Sequence, residues 1–71
     1  MPGRIQRQVR RALIAANGEP VPFGELVEWA YAGGRRAWRL PVYRALARWG
    51  TNVGRGQWRA NDELMARIRG D

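Results

Sequence analysis

Residues 38–59 read WRLPVYRALARWGTNVGRGQWR, and a change of period inside this stretch decides the fold. Val42, Ala45, Leu46 and Trp49 recur at i, i+3, i+4 and i+7 and make one apolar stripe, while Tyr43, Arg44, Ala47 and Arg48 fill the opposite side. The spacing predicts a helix that opens at Pro41 and stops at Trp49-Gly50. Its outward face carries no acid, whereas an ordinary solvated helix mixes Glu and Lys for pairing one turn apart. Two arginines, a tyrosine and one small residue suit a negative partner, with phosphate and base edges the obvious candidates.

Beyond Gly50 the helical period is lost. Thr51-Asn52-Val53 and Gln57-Trp58-Arg59 flank Gly54-Arg55-Gly56, and a glycine-rich three-residue loop between two short β-compatible runs predicts a hairpin. Alternation along it would send Val53 and Trp58 to the core and leave Asn52, Gln57 and Arg59 outward. Asn61 then caps a last short helix. Asp62 and Glu63 fall in its first turn, Arg67 and Arg69 in its last, an order that complements the helix dipole.

Toward the N-terminus, Arg35 to Arg39 form a basic connector. Before it, Phe23, Leu26, Val27 and Ala30 make a second apolar stripe, predicting a helix from about Pro22 to Ala32 that ends at Gly33-Gly34. Glu19-Pro20-Val21-Pro22 cannot be helical, because each proline pushes its predecessor toward extended geometry, so a very short edge strand or an extended linker is expected. From Arg4 to Asn17 the pattern is helical again. Ile5, Val9, Ala12, Leu13 and Ala16 cluster on one side and Arg4, Arg7, Arg10 and Arg11 on the other, with Asn17-Gly18 as a left-handed stop. Ile14 falls among the arginines, either at the edge of the stripe under another element or at a dimer contact.

Composition bounds what such a chain does. Seventy-one residues make one domain near the lower limit for a single apolar core. No cysteine is present to staple it, but Trp29, Trp38, Trp49 and Trp58 each offer roughly 200 Å² of burial. The net charge of +7 and a sequence pI near 11.7 favour a polyanionic partner. All thirteen positive charges are Arg, whose planar fork suits bidentate contact with phosphate or guanine, although a GC-rich coding sequence accounts for the missing Lys equally well.

With no His, Cys, Ser or Lys, nearly every usual nucleophile and general base is absent, and a non-enzyme without cofactor or small-molecule substrate is expected. Glu25 and Glu28 share a helix face, but two carboxylates without a third ligand make a poor metal site, so none is expected. No run approaches the ~18 apolar residues that cross a bilayer, and Met1 to Arg11 lacks the apolar stretch of a signal peptide. A cytoplasmic protein is the corresponding expectation.

Helix, short extended piece, helix, glycine turn, basic helix and glycine-tipped hairpin: this order resembles a winged helix-turn-helix DNA-binding domain, with Val53-Gly54-Arg55-Gly56-Gln57-Trp58 as the wing. The resemblance implies a mostly α fold with a small β-hairpin: a three-helix core over about residues 4–60, a wing, and a short C-terminal helix over about 61–69. The connector from Ala32 to Leu40 is longer than the three- or four-residue turn of the plain motif. By the same resemblance the third helix enters the major groove of double-stranded DNA, and Tyr43, Arg44, Ala47 and Arg48 become the groove-facing set. Arg44 or Arg48 would pair with guanine, and Ala47 would let the helix axis approach. Arg35, Arg36 and Arg39 would sit on phosphate, and Arg55 at the wing tip would enter a narrow minor groove. A small transcriptional regulator, dimeric on a two-fold site, is the expected type.

The same residues admit plainer readings. Arg44 and Arg48 also fit a merely solvated face, and Gly54-Arg55-Gly56 a turn required by geometry alone. Trp38, Trp49 and Trp58 fit a core better than base-stacking platforms, given so small a domain. Winged helices also serve as protein-interaction modules; in that role the Arg face would dock an acidic partner, with Ile14 and the last helix adding apolar contact.

Overall fold

The computed structural model describes residues 3–31 and 39–70. Its elements follow the order α1 (Arg4–Ala15), β1 (Val21–Pro22), α2 (Phe23–Tyr31), α3 (Arg39–Trp49), β2 (Gly50–Gly54), β3 (Gln57–Ala60) and α4 (Asp62–Ile68). The protein is therefore mostly helical with a small antiparallel sheet, whose strand order is β1-β3-β2. The expected Gly33-Gly34 stop, and with it Arg35, Arg36 and Trp38, lie outside the described residues.

Each helix buries the stripe its spacing defines. Val9, Ala12 and Leu13 of α1, Leu26 and Ala30 of α2, and Val42, Ala45 and Leu46 of α3 meet in one core with Val21, Ala60 and Leu64. Among the described residues no charged or polar residue is buried. Leu64 is as enclosed as the others, so α4 closes the core and is more than an appendage. At roughly 25 cal/mol per Å² of apolar surface removed from water, a fully buried leucine contributes about 2 kcal/mol. Trp49 and Trp58 pack partly against this core, whereas Trp29 is 43% exposed and does not take the core place its type suggested.

Two boundaries differ from the sequence expectation for clear reasons. Helix α3 opens at Arg39, two residues before Pro41, and proline is tolerated because backbone N–H groups in a first turn have no helical partner. At the other end the chain passes from Trp49 directly into β2 at Gly50. A Cβ at Gly50 would stand 2.9 Å from Leu46 Cδ2 and 3.2 Å from Leu46 O, so only glycine lets the strand leave so close to the helix.

The two-residue β1 strand sits at the sheet edge, where Pro22 removes no needed donor, and it pairs Val21 with Trp58 and Pro22 with Gln57 on β3. In the hairpin, Asn52 faces Trp58 and Gly54 faces Gln57, so Val53 is an extra residue in a bulge. This overturns the inward placement of Val53: it is 44% exposed, because the bulge breaks the alternation that would have turned it to the core. The Asn52 side chain supports the bulge by accepting the Gly54 N–H at 2.7 Å. The loop is correspondingly two residues rather than three. Arg55 and Gly56 both have positive φ, 57° and 70°, the pattern of the tight turns whose twist matches a hairpin.

Candidate nucleic-acid interface

Burying Val42, Ala45 and Leu46 forces the other side of α3 into solvent. Arg39, Leu40, Tyr43, Arg44, Ala47 and Arg48 are all exposed there. Arg44 lies near the middle of the face and makes no hydrogen bond or ion pair among the described residues. Leu40, one helical turn before it, is 58% exposed. A helix that opens at Pro41 leaves Leu40 out of the expected face, although an apolar residue four before Arg44 is a signal for it.

Tyr43 forms one flank of the face. Its ring stacks on Phe23 of α2 with centroids 4.5 Å apart and planes at 21°, an offset-stacking geometry. Phe23 in turn donates its backbone N–H to Gly56 O at 2.8 Å. Two consecutive contacts thus connect α3 to the hairpin tip, and exposed Arg55 is the residue preceding Gly56. The tip is thus tied through Phe23 to the Tyr43 edge of α3.

Arg48 occupies the opposite flank, and its surroundings differ from those of Arg44. Its Nη1 donates to Glu63 Oε2 at 2.6 Å, and its guanidinium carbon lies 4.6 Å from the Trp49 ring centroid. Asn61 fastens the same corner. Its side-chain Nδ2 donates to Arg48 O and its backbone N–H to Trp49 O, both at 2.9 Å, while Oδ1 caps α4 by accepting the Leu64 N–H. Of the four side chains expected on the outer face, Arg48 alone is shared with the terminal helix. Arg39 opens α3 and makes no ion pair among the described residues, and Arg35 and Arg36 fall outside them.

Charge is segregated along the chain. From Trp29 to Asn61 there are seven arginines and no acid. This span includes all of α3 and the hairpin, and among the described residues the face's only ion pair is that of Arg48 with Glu63 at its border. Among the described residues no group of three or more acids is placed to share a metal ion, and no helix is long and apolar enough to cross a membrane.

A second cluster was not foreseen. Besides Arg48, the guanidinium groups of Arg10 from α1 and Arg67 from α4 lie over the Trp49 ring, at 5.5 and 5.3 Å from its centroid. Each such contact is worth about 0.5–1 kcal/mol at a partly exposed site, which helps hold three like charges around one indole. No spacing rule joins residues 10, 48 and 67, and only packing brings them together.

No family model matches the chain, and no curated protein or solved structure is significantly similar to it.

Proposed function

We propose that this protein is a winged helix-turn-helix DNA-binding protein that places α3 in the major groove of a duplex and sets the hairpin, as a wing, against the adjacent backbone or minor groove. The observation that carries the reading is the chain of contacts from Tyr43, beside exposed Arg44, through Phe23 to Gly56 at the hairpin tip, with no acid in the span that forms α3 and the hairpin. Arg44 would read guanine, Ala47 would admit the helix axis, and Arg39 with Arg35 and Arg36 would hold phosphate. Exposed Leu40 adds an apolar contact of the kind that meets a thymine methyl group. The protein acts by binding alone, as an intracellular regulator.

The test is a titration of labelled duplex over a series of salt concentrations. With about four to six arginines on phosphate, the logarithm of affinity falls against the logarithm of salt with a slope near −4 to −5. A slope near zero, or co-migration with no duplex at physiological salt, sinks the reading.

One observation favours a second reading, in which the domain docks an acidic protein partner. Ile14, Leu64 and Ile68 floor a groove of about 370 Å³ bordered by Arg10 and Arg67, so apolar and cationic contacts lie side by side. Substitution separates the two readings, because Ile14→Ala weakens binding of an acidic peptide seated in this groove and leaves duplex binding through Arg44 unchanged.

A further inference from the structure

The outer face of α1 is as rich in charge as that of α3, and the reading above leaves it unused. Arg4, Arg7 and Arg11 are exposed along it, and residues 3–18 contain no acid at all. None of the three makes an ion pair among the described residues. Like charges three and four positions apart on a helix destabilise it by a few tenths of a kcal/mol per pair, so the row works against the fold unless an anion meets it.

Beside the row is a cavity of about 250 Å³ lined by Gly3, Gln6, Arg7, Arg10 and Trp49. Its polar side chains are Gln6 and two arginines, with no carboxylate among them. Arg10 leans over Trp49, and its Nε is buried with no hydrogen-bond partner. A buried donor left unmet costs about 1–3 kcal/mol. The row and the cavity are continuous through Arg7.

The row itself is set apart from the face assigned to α3. Helices α1 and α3 turn Val9, Ala12 and Leu13 on one side and Val42, Ala45 and Leu46 on the other toward a common core. Arg4, Arg7 and Arg11 lie on the side of α1 turned from that core, as Arg44 does on α3, and only Arg10 and Arg48 approach each other, over Trp49.

We infer that the outer face of α1, with Arg4, Arg7 and Arg11, grips the phosphate backbone of a second nucleic-acid segment, so that one molecule joins two duplexes. The inference rests on duplex binding through α3. An open row about 10 Å long, from Arg4 to Arg11, suits a run of backbone phosphates better than one small anion.

The experiment immobilises one duplex on beads, adds full-length protein, and measures capture of a second, labelled duplex, with single-duplex affinity measured in parallel. Wild type captures the second duplex. The triple variant Arg4→Gln, Arg7→Gln, Arg11→Gln keeps helix propensity, retains single-duplex affinity within about threefold, and loses capture at least about tenfold. The salt slope of capture falls by about three at the same time. Wild type that binds one duplex but captures no second overturns this inference alone, as does a triple variant that captures normally, which would mark a dimer as the bridge. Absence of any single-duplex binding overturns the function proposed above, and this inference with it.

Discussion

Arg48 and Glu63 are joined by a 2.6 Å ion pair that crosses from the end of the basic helix α3 to the first turn of α4. Both side chains are about half exposed, so solvent screens the pair and its contribution to folding is at most about 1 kcal/mol. Its consequence for binding is larger in kind, because Glu63 offers Arg48 a carboxylate where a phosphate would otherwise sit. Glu63→Gln should strengthen duplex binding about two- to fivefold while leaving thermal stability nearly unchanged. Unchanged affinity in the variant would place Arg48 off the DNA surface.

Arg44 and the connector arginines should separate by kind of effect. A guanidinium paired bidentately with guanine contributes about 1–3 kcal/mol of discrimination, so Arg44→Ala should flatten the preference among duplex sequences. Arg35→Ala or Arg36→Ala should weaken binding to all sequences alike and reduce the salt slope by about one each. Competition binding against a panel of duplexes reads both. Equal effects from the two classes would remove α3 as the reading element.

The helices were legible in the sequence because the residues that fill the core also fix the period. Val42, Ala45 and Leu46 are buried where their spacing puts them, and Asn61 caps α4 as its position before Asp62-Glu63 implies. The hairpin was legible as a hairpin but not in register. The bulge at Val53 turns that one residue outward, while Trp58 packs against the core as its alternation implies, and a two-residue turn replaces the three-residue loop. The outward faces of α3 were equally readable, yet Arg48 binds Glu63 fifteen positions away, a pairing no local rule supplies. The stacking of Tyr43 on Phe23, which draws the hairpin tip toward α3, depends on tertiary packing in the same way.

Gly50 is the tightest point of the fold. A methyl group there would meet both the side chain and the carbonyl of Leu46, and Leu46 is fully buried and cannot yield without disturbing the core. Gly50→Ala should therefore destabilise the protein by about 1–3 kcal/mol, the usual cost of forcing an added carbon into a packed site. For a domain of this size that lowers the Tm by roughly 4–8 °C per kcal/mol. Thermal denaturation followed by circular dichroism checks it, and an unshifted Tm would mean that β2 leaves α3 by another path.

Arg55 stands at φ 57°, in the left-handed region where a long side chain costs about 1–2 kcal/mol and where Asn or Gly is the easier choice. Nothing touches the space around the flanking Gly54 and Gly56, so packing does not require arginine at the tip. Strain of this kind at an exposed loop is expected where the side chain serves a function. Arg55→Asn should then raise folding stability by up to about 1 kcal/mol and at the same time weaken duplex binding, with the salt slope reduced by about one. The opposing signs make the result diagnostic. A variant that gains stability and keeps full affinity would leave the tip as a tight turn and nothing more, and DNA contact would then rest on α3 and its connector without the wing.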